Sequence, residues 1–423
     1  MDKLIVHGGH LLEGTVYVSG SKNSSLPILA ATLLTRDKCV IRRVPDLSDT
    51  NYMVQILASL GAHVERASGM VTVEADTIKS EAPYDLVRKM RASVCVMGPL
   101  LARTGECRVS LPGGCVIGDR PVDLHLRGFE QLGAEVKVAG GDIHVKASPD
   151  GGDRHVNMRG KHGSTVLGTD NVLMAAVLTK GTTVIEGAAT EPEVVDLTEF
   201  LIKMGAKIEG TGTRTLVVEG VRELYGAEHT VIPDRIEAGT FLVAGAIAGK
   251  RVTLKQADAS HMKGFIDTLA QCGYPVEISD GGDITISRIE NPRGADIRTE
   301  PYPGFPTDMQ AQFTALLATV PGLSVITETI FPQRFMHVPE LARMGAKITL
   351  EGPTAIIRGV DRLSGAPVMA SDLRASAALV LAGLMAEGST EVNRLYHIDR
   401  GYEHIDHKLG MLGARMERVK VTG

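Results

Sequence analysis

The sequence predicts an α/β chain made of six copies of one unit of about seventy residues, divided three and three between two lobes. Three observations carry this. A hydrophobic turn, a Gly-Ala pair and a strand recur at Leu60-Gly61-Ala62, Leu132-Gly133-Ala134, Met204-Gly205-Ala206 and Met344-Gly345-Ala346. Weaker copies stand at Cys272-Gly273-Tyr274 and Leu412-Gly413-Ala414, so the six glycines fall 68 to 72 residues apart. Each unit also holds an Ala-rich helix that is apolar all round, which belongs inside with sheets around it. At 423 residues the chain is too long for one ordinary core.

Taken in order, the inner helices are expected over 26–34, 94–102, 172–178, 241–248, 313–318 and 377–385, from their apolar runs. Strands follow them, as at 39–42, 108–111, 183–186 and 324–327. A polar loop leads to an amphipathic helix such as 123–132 or 339–344. Its glycine C-cap and two short strands complete the unit. A break near Thr230-Val-Ile-Pro-Asp234 separates one lobe, 22–232, from a second made of 1–21 and 233–423. A single N-terminal strand over 4–18 is expected to complete that second lobe. Two similar lobes imply a cleft that closes on substrate.

Composition narrows the function. Apolar residues are 43% and charged residues 22%, those of a soluble globular protein. The net charge of -5 comes from 45 basic and 50 acidic residues with no basic block, and aromatic residues are 4% with no Trp. Both features argue against nucleic acid as a partner. The longest apolar runs are about half of the ~18 residues a membrane span needs, and Met1-Asp-Lys-Leu-Ile-Val is no signal peptide. Five cysteines without a C-x-x-C pair fit a reducing cytoplasm.

The chemistry centres on Leu111-Pro-Gly-Gly-Cys115-Val-Ile-Gly-Asp-Arg120-Pro-Val-Asp-Leu124, a Gly- and Pro-rich loop. A guanidinium close to a thiol favours the thiolate, so Cys115 reads as reactive, whereas a free cysteine is otherwise a small buried hydrophobe. Matched repeat positions carry charge: Lys22-Asn23, Arg91, Asp234-Arg235, Asp308 and Asp372-Leu-Arg374 at inner helix starts, with Arg120, Arg334 and Arg400 in loops. Basic residues at helix N-termini oppose the macrodipole. A small polyanion such as a phosphate ester with a carboxylate explains them, in an electropositive cleft with few carboxylates. Gly160-Lys161 and Gly249-Lys250 lack the Ser or Thr of a P-loop. His397, His404 and His407 with Asp399 and Asp406 lack the spacing of a metal site.

Seven stretches then coincide with a known pattern: Ser19-Gly-Ser-Lys-Asn23, Pro112 to His125, Pro233-Asp-Arg-Ile-Glu-Ala-Gly239, Phe305-Pro-Thr-Asp-Met-Gln310, Arg334-Phe-Met-His-Val-Pro-Glu340, Asp372-Leu-Arg-Ala-Ser376 and His397-Ile-Asp-Arg-Gly401. End to end, the chain resembles the UDP-N-acetylglucosamine 1-carboxyvinyltransferase family of enolpyruvyl transferases. The Cys115 loop sets it apart from the sister family of the shikimate pathway, which lacks that cysteine.

The resemblance implies a two-domain inside-out α/β barrel. The domains close over phosphoenolpyruvate and UDP-N-acetylglucosamine in a first step of peptidoglycan synthesis, with no metal or organic cofactor. It implies that Cys115 protonates the methylene carbon of phosphoenolpyruvate and that Asp308 is the base at the sugar 3-hydroxyl. Lys22, Arg120 and Arg400 would grip phosphate and carboxylate. Asn23, Arg91, Ile330, Arg334 and Arg374 would hold substrate or intermediate, and Pro121, Val122, Asp123 and Leu124 would receive the uracil.

One turn departs from the family. Ser164-Thr-Val-Leu-Gly-Thr169 has Leu167 where a glycine is expected at the nucleotide diphosphate. Either Gly168 re-registers the turn, or the acceptor is another nucleotide or UDP-sugar. A non-catalytic repeat protein that binds anions is the reading from a different class. The assignment of Cys115 predicts one adduct on treatment with the epoxide fosfomycin, counted by intact-protein mass spectrometry and mapped to that thiol. A label on Cys39 or Cys272 instead would contradict it.

Overall fold

In the computed structural model, which describes residues 2–111, 122–148, 150–161 and 163–420, all six signature glycines take a positive φ, between 91° and 109°. Each ends a helix in the same way. Gly61 N donates to Ala58 O at 3.1 Å and Ala62 N to Leu57 O at 3.1 Å, and the same pair of bonds recurs after the other five. Only glycine enters that left-handed turn without strain, which is why the repeat is written in glycines.

Among the described residues, five sheets have four strands and share one topology. The first strand runs parallel to the second, and the rest are antiparallel. In one, Asp296–Arg298 lies parallel to Leu323–Thr327, followed by Thr354–Arg358 and Lys347–Glu351. The sheet of Glu106–Ser110, Asp142–Lys146 and Glu135–Ala139 keeps only a parallel bridge, Glu81 to Arg108, in the first place.

The chain forms two compact units, residues 2–19 with 233–420 and residues 20–111 with 122–232. In the first, Arg235–Ala248, Gln310–Leu317 and Leu373–Met385 pack on one another and are buried nearly all round. In the second, Lys22–Ala31 and Met97–Thr104 both pack on Val166–Ala176. Alternate strand residues such as Ile326, Ala355 and Ile357 are fully buried, so each sheet turns one face to the core.

Two expectations need correction. Four of the inner helices start before their apolar runs, because a polar cap sets the first turn. Ser21 caps Lys22–Ala31, Thr165 caps Val166–Ala176, Asp234 caps Arg235–Ala248 and Asp372 caps Leu373–Met385. The expected strand over 4–18 is two strands in different sheets. Asp2–His7 lies between Ser389–Asn393 and Arg415–Lys420, while Leu12–Tyr17 runs parallel to Gly249–Lys255. The chain turns at Gly8 and Gly9. A Cβ on Gly8 would fall 1.9 Å from Ala386 O, and Gly9 has φ +82°.

No described helix is long and apolar enough to cross a membrane. Two inner helices approach closely where a side chain is missing: Gly98 N donates to Asn171 Oδ1 at 2.8 Å, and a Cβ there would lie 2.3 Å from Asn171 O. Gly98→Ala should therefore cost about 2 kcal/mol through overpacking, measured by urea denaturation. An unchanged midpoint would contradict this packing.

Candidate active site

In the unit formed by 2–19 and 233–420, the loop after Leu323–Thr327 and the starts of two inner helices converge on one carboxylate. Asp308 enters on the turn Thr307–Met309, which runs straight into Gln310–Leu317. Its Oδ1 accepts from Arg334 Nη1 at 2.7 Å, and its Oδ2 from Arg374 Nη2 at 2.9 Å. Arg374 sits in the first turn of its helix, where Asp372 Oδ1 accepts from Arg374 N at 2.9 Å and Ala375 N at 3.0 Å. Burial alone would raise the Asp308 carboxyl, but the charges of Arg374 and Arg334 outweigh it and hold the group well below the usual carboxylate range. Its side chain keeps 26% of its surface accessible, so a ligand hydroxyl can reach it.

A second carboxylate shapes the loop that carries Arg334. Fully buried Glu328 accepts from Thr299 Oγ1 at 2.8 Å, Ile330 N at 2.8 Å and Phe331 N at 2.9 Å through Oε1. Through Oε2 it accepts from Thr307 Oγ1 at 2.8 Å, which also receives Arg334 Nη1 at 3.1 Å. Glu328 thereby fixes Ile330, Arg334 and the turn of Asp308 together. Arg400 ends the turn Leu395–Arg400 and is half-buried.

The other unit holds Lys22, Asn23, Arg91, Val122, Asp123 and Leu124. Lys22 opens its inner helix with Nζ 3.1 Å from Asp49, whose side chain is buried. Half-buried Asn23 follows it, and Arg91 opens the turn Arg91–Val96. Buried Val122 precedes the helix Asp123–Gln131, so exposed Asp123 and half-buried Leu124 stand at a helix N-terminus, where the first backbone N–H groups have no partner within the helix. Leu124 lies over Gly160, where a Cβ would come 2.7 Å from Leu124 Cδ1.

Cys115, Arg120 and Pro121 lie outside the described residues. The other four cysteines are buried, and burial pushes Cys39 and Cys272 up to about 11, Cys107 to about 12 and Cys95 well above the ordinary thiol value. They are packing groups.

Two further expectations change. The sequence reads Arg334, Arg374 and Lys22 as cations waiting for an anion, but Arg334 and Arg374 share Asp308 and Lys22 pairs with Asp49, because oppositely charged partners far along the chain fold beside them. Leu167 needs no glycine: it is the second residue of Val166–Ala176, ordinary helix. Gly168 is the constrained position, since its Cβ would fall 2.4 Å from Thr165 Cγ2. Near the C-terminus, Arg418 engages Asp2, Asp399 and Asp406. Among the described residues, no group of His, Cys and acidic side chains is placed to hold a metal. Sequence reasoning missed Glu328, Gln312, Thr240 and Tyr402, all apart from any charge pattern.

A family model described as EPSP synthase (3-phosphoshikimate 1-carboxyvinyltransferase) matches residues 6–409. The chain is 62% identical over 420 residues, 99% of each, to the UDP-N-acetylglucosamine 1-carboxyvinyltransferase of Akkermansia muciniphila. It is 58% identical over 419 residues, 99% of each, to that of Methylacidiphilum infernorum. Among solved structures it is similar to the enolpyruvyl transferase NikO from Streptomyces tendae, with a TM-score of 0.89 and 26% identity over 99% of this chain and 98% of that one. The EPSP synthase of Acinetobacter baumannii shares the fold, with a TM-score of 0.76 and 17% identity over 99% of this chain and 100% of that one.

Asp308→Asn should lower the unfolding free energy by about 3 kcal/mol at pH 7, because two guanidinium groups lose their shared counterion. The folded carboxyl is held below its unfolded value of about 3.9, so its stabilisation is present above that value and lost as pH falls through the folded one. The gap between parent and variant in urea denaturation should narrow from about pH 5 to pH 3. A gap independent of pH would contradict the clamp.

Proposed function

The chain belongs to the EPSP synthase family of 1-carboxyvinyl (enolpyruvyl) transferases. From that premise we propose that it moves the enolpyruvyl group of phosphoenolpyruvate to the 3-hydroxyl of UDP-N-acetylglucosamine and releases phosphate. The observation that carries this reading is end-to-end identity of 58 to 62% to relatives bearing that activity in their names. The product enters peptidoglycan synthesis, in the cytoplasm, where both substrates are made.

The reaction is an addition followed by an elimination. Cys115 gives a proton to the methylene carbon while the sugar oxygen attacks C2 and its proton passes to Asp308. The tetrahedral intermediate then loses a proton from its new methyl group as the C–O bond to phosphate breaks, and the vinyl group is restored. General acid and base must be in place at once, since protonation of the vinyl carbon leaves a cationic centre that water would capture. Lys22, Arg120 and Arg400 balance the phosphate and carboxylate charges, while Asn23, Arg91, Ile330, Arg334 and Arg374 hold the substrates and intermediate. The backbone of Pro121, Val122, Asp123 and Leu124 receives the uracil. No step needs a metal or organic cofactor.

A clamped Asp308 is a weak base in the resting geometry. It acts by orienting the hydroxyl and accepting the proton late, as the attacking oxygen gains positive charge. A different UDP-sugar as acceptor had the Ser164–Thr169 turn as its motive, and Leu167 there is ordinary helix, which leaves UDP-N-acetylglucosamine as the acceptor of this reading. Phosphate release from phosphoenolpyruvate is expected with UDP-N-acetylglucosamine and absent with UMP or shikimate 3-phosphate, and Cys115→Ala should abolish it. Release with another UDP-sugar alone would move the acceptor assignment. Ligand binding that Cys115→Ala leaves intact, with no turnover by the parent on any acceptor, would favour the anion-binding protein.

A further inference from the structure

We propose that Tyr402 is a positioning residue for this transfer, its hydroxyl holding the Arg374 guanidinium in line with the Asp308 carboxylate; the proposal rests on the reaction assigned above. Tyr402 is 2% exposed and belongs to none of the charged positions of the repeat. Its hydroxyl meets Arg374 Nη1 at 3.2 Å, Gln312 Nε2 at 3.1 Å and Thr240 Oγ1 at 2.9 Å. The first two atoms can only donate, so the phenol oxygen accepts both, and its own proton goes to Thr240. Thr240 Oγ1 passes its proton on to Ile236 O at 2.8 Å. The hydroxyl has one orientation that satisfies every partner.

That orientation fixes two sides of the clamp. A guanidinium is planar, so pinning Nη2 on Asp308 and Nη1 on Tyr402 sets its whole plane. The ring also lies under the cation, with Arg374 Cζ 5.5 Å from its centroid. Gln312, tied to the same phenol, donates to Asp308 O at 2.9 Å and so holds the backbone of the carboxylate. Tyr402 follows Gly401, where a Cβ would fall 2.5 Å from Leu373 Cδ2. The turn that carries Arg400 is therefore pressed on the helix start that carries Arg374.

The charged groups around this arrangement are few. Arg334 and Arg374 face Asp308, while Asp308 and Asp234 face Arg374. Arg374 and Asp234 face Tyr402, whose phenol burial pushes up, so it stays neutral across the working range. His337 stands by Asp372 and Arg334, and burial lowers it to about 4, so it too adds no charge.

Tyr402→Phe deletes the acceptor and keeps the ring under the cation. With Arg374 loosened, kcat should fall roughly ten- to hundredfold while the KM for UDP-N-acetylglucosamine changes little. The acid limb of the kcat profile should move to higher pH, because Asp308 regains affinity for its proton. The same rise should appear in the ¹³C NMR titration of Asp308 in aspartate-labelled protein, with the resonance assigned from Asp308→Asn. Thr240→Val, which keeps Tyr402 and removes the acceptor that its phenol shares with Gln312 Nε2, should shift both in the same direction by less, and it decides the matter if Tyr402→Phe fails to fold. A folded Tyr402→Phe with the parent's kcat and the parent's Asp308 titration would overturn the proposal. The NMR titration needs no turnover, so an inactive parent would refute the assigned reaction while the titration still judges Tyr402.

Discussion

One carboxylate held between two guanidinium groups orders the unit that contains it. Asp308 takes Arg334 on one oxygen and Arg374 on the other, and those three residues come from a loop and two separate inner helices. Bringing two arginines this close without a counterion would cost several kcal/mol in repulsion and desolvation. With Asp308 in place they leave a net positive charge beside a carboxylate that stays partly accessible. The same contact that makes the cluster stable also makes Asp308 reluctant to accept a proton.

The repeat explains how such a cluster arises. Each unit ends one helix at a left-handed glycine, and four of the inner helices begin on a polar cap that sets their first turn. Residues just after the caps, Lys22, Arg235, Arg374 and the turn of Asp308, then recur at matched places. Duplication supplies the scaffold, and divergence of the first-turn residues supplies the chemistry. The Glu328 loop adds a rigid edge by accepting two side-chain and two backbone donors in one buried carboxylate.

The α/β class and the six units were legible in the sequence because a left-handed C-cap is a local requirement that glycine meets at almost no cost. The division of the N-terminal stretch into two strands was not, since the turn at Gly8 is enforced by Ala386, far along the chain. Helix starts were misplaced because apolar runs mark where a helix enters the core, whereas Ser21, Asp234 and Asp372 mark where it begins. Asp308, Arg334 and Arg374 could be named from the sequence, and the structure brings these three into contact. Their dependence on Tyr402, Gln312 and Glu328 could not, because those neutralising and orienting contacts join residues 21 to 90 positions apart and have no local pattern.

The proposed transfer requires Asp308 at the reacting hydroxyl, and steady-state transfer by Asp308→Asn measures that directly. With folding verified at the assay pH and both substrates still bound, phosphate release should fall by about 10²- to 10⁴-fold, the contribution of a positioned base. A rate close to the parent's would mean that the clamp is a structural ion pair and that the proton of the acceptor hydroxyl leaves by another route.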